Sequence, residues 1–125
     1  MKFTSLWRNK TSCSASNRKN TQLMPTLHTI NKSPFSQQTL LQCLEVIGCD
    51  DSLILIEDGC YGAIKSSPAY RQLLEISKNG VKIYVLEDDL RCRGLTSNFF
   101  DDLTLVGMNE MVELCCQHKN VQSWY

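Results

Sequence analysis

The 125-residue sequence has no apolar run approaching the roughly 18 residues a membrane-spanning helix requires, so no transmembrane helix is expected. It has no Cys-x-x-Cys pair, which removes the usual spacing of a zinc site or a dithiol redox motif although seven cysteines are present. Their number is odd and no secretory apolar segment precedes them, so they read as reduced thiols that mostly serve as small core hydrophobes. Neither GxGxxG nor GxxxxGK[ST] occurs, so no phosphate-cradling loop is written into the chain, and neither a cofactor nor a metal is expected. Acidic residues are missing from residues 1–23, which carry Lys2, Arg8, Lys10, Arg18 and Lys19. From Met24 onward the balance reverses, with 8 basic against 13 acidic side chains and a net of −5. A surface of that sign repels phosphate backbones, so direct nucleic-acid binding is not expected.

What is present divides the chain in two. Residues 1–23 are rich in Ser, Thr, Asn, Lys and Arg without an apolar period. They read as a disordered extension, an organellar transit peptide or an over-long start. The last is preferred because Met24 sits just before the first strand signal. Residues 24–125 read as one domain.

Within that domain, residues 26–30 form a short β-branched apolar run and predict a strand. A helix is expected over residues 37–47, with Ser36 as N-cap and Gly48 past its end. Leu40, Leu44 and Ile47 then share one face, and Cys43 lies beside that stripe. Residues 53–56 are continuously apolar, as in a strand buried on both faces. Ser67-Pro68 is a helix start for a segment running to Lys78 and closing through Asn79-Gly80. Residues 81–86 give a third strand, followed by a helical turn to Arg93 and Gly94. Residues 103–106 give a fourth strand, and Asn109 is placed as the cap of a helix to Gln117. Residues 121–124 give the fifth. Alternating strands and helices demand an α/β, small doubly wound, mostly parallel sheet of about five strands with helices on both faces. Polar residues gather at the strand exits, Glu57-Asp58-Gly59 and Glu87-Asp88-Asp89, where such sheets bind ligands.

Most candidate residues have a plain structural explanation. His28 in an apolar strand reads as a hydrogen-bonded core histidine, its alternative being a base beside a sulfur site. Asp58 before Gly59 is turn chemistry first. Arg91 and Arg93 suit a solvated turn, or contact with an acidic partner. Cys60 stands at a strand exit, and Cys115-Cys116 lies in a helix. A flavodoxin- or receiver-like binding module fits poorly, because neither an acidic pair nor a phosphate loop follows the first strand.

Several segments, in order, resemble one family. They are Leu27-His28-Thr29-Ile30-Asn31-Lys32-Ser33-Pro34-Phe35, Glu57-Asp58-Gly59-Cys60-Tyr61-Gly62-Ala63, and Val81-Lys82-Ile83-Tyr84-Val85-Leu86-Glu87-Asp88-Asp89-Leu90 with Arg93-Gly94. The tail adds Leu105-Val106, Met111-Val112-Glu113-Leu114 and Ser123-Trp124. Their order and spacing over residues 27–125 resemble the DsrH/TusB proteins. The resemblance implies a DsrE-like fold and a heterohexamer with TusC/DsrF-like and TusD/DsrE-like subunits. It also implies a downstream TusE/DsrC-like sulfur acceptor and a cytoplasmic location. The Tus complexes serve 2-thiolation of the tRNA wobble uridine, and the Dsr complexes serve cytoplasmic sulfur oxidation. In both, the principal sulfur-carrying cysteine belongs to the DsrE/TusD partner, so this subunit is expected to be non-catalytic by itself. Some members hold a cysteine in the first helix, the position of Cys43, which makes Cys43 the candidate catalytic thiol here. The chain departs from the family at Cys60, where an aliphatic residue is common, and at Cys92, where alanine is common. Gly107-Met108 replaces a usual Asp-Tyr. Terminal Trp124-Tyr125 suits interface burial.

Overall fold

A computed structural model describes residues 25–95 and 103–124. The readings of residues 1–23, Cys13 and Tyr125 lie outside the described residues. Five strands, β1 (Thr26–Ile30), β2 (Ser52–Leu55), β3 (Lys82–Leu86), β4 (Thr104–Val106) and β5 (Asn120–Trp124), form one sheet in the order β4-β3-β2-β1-β5. Every neighbouring pair is parallel. The α/β architecture expected from the alternating elements is therefore present.

Parallel pairing needs crossovers, and these supply the two cover layers. Helices α1 (Thr39–Val46) and α2 (Tyr70–Lys78) lie on one face. With Ile30, Leu53, Leu55, Ile83 and Val85 they form the larger core, which includes Leu40, Leu44, Leu73 and Ile76. The short helix α3 (Glu87–Cys92) follows β3 directly. Helix α4 (Met108–Gln117) covers the opposite face, where Leu114 joins Leu27, Ile54 and Val106 in a smaller core. All four β2 residues are buried, Ser52 together with the apolar Leu53, Ile54 and Leu55, while Ile56 of the expected strand lies just past its end. None of the described helices is long and apolar enough to cross a membrane.

The helix ends differ from expectation in instructive ways. Helix α1 begins at Thr39 because residues 33–37 first make a turn of their own. Gln37 N–H bonds to the Ser33 carbonyl at 3.0 Å, and the Ser36 hydroxyl donates to that carbonyl at 3.4 Å, so Ser36 is no cap. Gly48 does not close α1 in a left-handed conformation; its N–H instead donates to Asp51 at 2.9 Å. Ser67 accepts from Ala69 N–H at 3.0 Å and caps a turn that delays α2 to Tyr70. Gly107, not Asn109, precedes α4, and its N–H donates to Glu110 at 2.7 Å. The expected endings at Gly80 and Gly94 hold: both have positive φ, +106° and +67°. Each closes a Schellman motif, with Val81 N–H on the Ile76 carbonyl and Leu95 N–H on the Leu90 carbonyl.

Candidate functional site

The carboxyl ends of the strands, where a ligand crevice is expected, are filled by the chain itself. After β2 the backbone turns through Glu57 at φ +50° into a 3-10 helix, Glu57–Ala63. Gly59 in that segment presses on the end of β1: a Cβ there would run into the Ile30 carbonyl. The Cys60 thiol points back at the carbonyls of Leu55 and Leu86, 3.7 and 4.0 Å away. Glu57 N–H donates to Asp89 at 2.8 Å, and Arg93 donates to Asp58 at 3.0 Å and to the Asp89 carbonyl at 3.2 Å. Asp58, Asp89 and Arg93 thus hold the exits of β2 and β3 together. Nothing in this knot leaves a nucleophile. Burial, then the Asp89 charge, pushes the Cys60 thiol up to about 12, against a partial opposing effect of Arg93. A thiol in that state is protonated at neutral pH and inert toward sulfur exchange.

Cys43 sits in α1 with 0% exposure, inside the larger core beside Leu40, Leu44 and Ile47. Exchange of sulfur at that thiol therefore requires α1 to lift from the sheet. Cys49 is 4% exposed. The exposed thiols among the described residues are Cys92 at the end of α3 and Cys116 on α4, with Cys115 half-buried. The family position thus singles out one of the least accessible sulfurs in the fold, and the burial agrees with its place beside the apolar stripe of α1.

His28 is 6% exposed and engaged at both ring nitrogens, the core histidine expected from its strand. Trp124 Nε1–H donates to His28 Nδ1 at 3.1 Å. Indole N–H can only donate, so Nδ1 must accept and the ring proton sits on Nε2. That nitrogen donates to Asp51 at 3.0 Å. The His28–Asp51 contact is therefore a charge-assisted hydrogen bond with neutral imidazole. Trp124 is half-buried and packs against the larger core. Trp124→Phe is expected to lower stability by about 1 kcal/mol, the net value of one hydrogen bond. Chemical denaturation measures that loss, and nitrogen NMR should show Nδ1 released from its hydrogen bond while the proton stays on Nε2, held by Asp51.

Asp51, just before β2, collects three donors: His28, Gly48 N–H and, at 3.1 Å, Thr26 N–H. Burial alone would raise its pKa, but these hydrogen bonds outweigh it and hold the carboxyl below its usual value. His118 makes a second unforeseen tie. Its Nδ1–H donates to the Leu114 carbonyl at 2.7 Å, and Nε2 accepts from the Ser52 hydroxyl at 3.0 Å. Between these ties, at the amino ends of β2 and β3, lies a polar groove of about 290 Å³ bordered by Asp50, Lys82, Tyr84 and His118. No local sequence pattern signals either tie, because the partners are 23 and 66 residues apart.

Comparison with known proteins gives this arrangement its relatives. A family model described as "DsrH like protein" matches residues 32–121. The chain is 35% identical over 98 residues to "Protein TusB" of Serratia proteamaculans, covering 78% of this chain and 99% of that protein. It is 32% identical over 98 residues, with the same coverage, to "Protein TusB" of Yersinia pestis. Among solved structures, the ychN protein of E. coli has a TM-score of 0.69 at 15% identity, over 80% of this chain and 98% of that one. The MTH1491 protein of Methanobacterium thermoautotrophicum scores 0.66 at 13% identity over the same shares. At those identities the two structures speak to the fold alone.

Proposed function

The chain belongs to the DsrH/TusB family, and from that premise we propose that it is a subunit of a cytoplasmic sulfur-relay complex serving 2-thiolation of the tRNA wobble uridine. Its partners are a TusC/DsrF-like and a TusD/DsrE-like subunit in a heterohexamer, with a TusE/DsrC-like protein as acceptor. The relay chemistry is thiol exchange. A thiolate of the receiving cysteine attacks the outer sulfur of a donor persulfide, the S–S bond breaks, and the donor leaves as thiolate while the receiver becomes the persulfide. The observation that carries an auxiliary role for this subunit is burial. Cys43, Cys49 and Cys60 are each 4% exposed or less, whereas a relay thiol must be reachable and ionised. Cys92 and Cys116 are exposed, but the family resemblance assigns no sulfur-carrying role to either position. The chain's acidic balance leaves tRNA contact to another component.

One feature favours a second reading, sulfur oxidation with Cys43 as an auxiliary persulfide thiol: Cys43 occupies the first-helix position that sulfur-oxidiser members hold as cysteine. A single genetic experiment separates the two. Deleting the gene is expected to remove most 2-thiouridine from tRNA, read by mass spectrometry of digested tRNA, and Cys43→Ser is expected to restore it. Unchanged 2-thiouridine in the deletion strain overturns the tRNA reading. Restoration by wild type but not by Cys43→Ser moves a sulfur-carrying step onto this chain.

A further inference from the structure

The two faces of the sheet are unequally covered. Among the described residues, one carries α1, α2 and a core of 16 buried residues, and the other carries α4 and a core of four. Helix α4 is apolar over a wider arc than the sheet can use. Leu114, 8% exposed, seals the small core. A second row, Met108, Met111, Val112 and Cys115, runs at i, i+3, i+4, i+7 along the same helix. Met111 and Cys115 lie at the margin of the small core, while Met108 and Val112 are 55% and 56% exposed. Val121 on β5 extends the row: it is 46% exposed and pairs in register with Leu27, so it faces the same side. An aligned set of large exposed apolar side chains on a thinly covered face is the mark of a contact surface.

Charge selects what covers it. Helix α4 carries Glu110 and Glu113 and no basic residue, and residues 24–125 carry a net of −5. Pairing of α4 with α4 of a second copy would set Glu110 and Glu113 beside their equivalents, which disfavours that contact. The geometry points to a docking face for another subunit of the relay complex, one that offers an apolar strip flanked by lysine and arginine. This inference rests on the sulfur-relay reading and adds to it where a partner sits and how it is recognised.

The test is co-expression of the full-length chain with the two related subunits of the same organism, followed by co-purification. Val112→Glu is expected to reduce partner recovery by about tenfold or more, because the contact would bury an unpaired carboxylate. Val46→Glu, an equally exposed change on the opposite face, is expected to leave recovery unchanged. Glu113→Lys is expected to weaken recovery at low salt, with the difference from wild type shrinking as salt screens it. That arm decides the matter even if thermal melting shows Val112→Glu unfolded. Full recovery with a folded Val112→Glu chain overturns the docking face. So does equal loss with Val46→Glu, recovery unaffected by Glu113→Lys, or a homodimer of the chain alone that Val112→Glu dissolves. Failure of the wild type to recover either subunit overturns the relay reading itself, and the docking face with it.

Discussion

Gly59→Ala is expected to destabilise the fold by about 3 kcal/mol, at the upper end of what overpacking causes. The reason is the neighbour, not the backbone angle. A Cβ at position 59 would collide with the Ile30 carbonyl, a backbone atom that cannot rotate away. That same carbonyl accepts Ile56 N–H at 2.9 Å, so displacing it breaks the bond that fastens the end of β2 to β1. Glu57, two residues earlier, is already held at φ +50°, which leaves the segment little slack. Gly94→Ala is the informative contrast: its Cβ would meet nothing within 4 Å, but φ is +67°. The expected loss there is only about 1 kcal/mol, the ordinary left-handed penalty. Denaturant titration of both variants measures the difference. Near-equal losses would show that the 3-10 segment gives way and the contact with Ile30 is soft. Total stabilities of small domains are about 5–15 kcal/mol, so the first change removes a substantial share.

The second large effect is expected at Asp51. Asp51→Ala strands the donors of Thr26, His28 and Gly48 together, and should lower stability by about 3 kcal/mol. Asp51→Asn keeps one carbonyl oxygen and should lose about half as much. The pH dependence identifies the cause. Free, this carboxyl titrates near 3.8, and in the folded chain it titrates lower. Below 3.8 the unfolded chain takes up the proton first, so acid favours unfolding. The contribution is complete above that value and is lost as the pH falls through the lowered folded one. The gap between wild type and Asp51→Asn should therefore be widest near neutrality and close below about pH 4. A gap that persists unchanged in acid would mean that shape, and not the ionised carboxylate, sets the loss.

Both effects fall at residues that the sequence presents as unremarkable turn or boundary positions. Local patterning shows the elements well: the apolar run of residues 53–56 announces a strand buried on both faces, and β2 is that strand. The two left-handed glycines at 80 and 94 are legible for the same reason, since a helix end is a local event. Helix starts are less so, because Ser36 and Ser67 can serve a turn as readily as a helix, and here each belongs to a turn. The site is legible only in outline. His28 is read correctly as a satisfied core residue, but its partners at positions 51 and 124 are brought to it by strand order, which periodicity does not encode. The resemblance singles out Cys43 by position, while burial is set by the packing of α1 on β1 and β5. For helix α4 the sequence shows only that a helix runs to Gln117. Only the structure shows that its apolar arc is wider than the sheet beneath it.

The sheet order also governs how this protein is made. The last strand lies beside the first, with Trp124 in register with Ile30 and its indole on His28. During synthesis β1 can pair with β2 early, but its other edge waits for residues 120–124 to leave the ribosome. Throughout that interval an apolar parallel edge stands open, the kind of surface that recruits strands from other chains. The β1 edge that β5 covers is therefore the part of the sheet that stays unpaired longest as the chain grows.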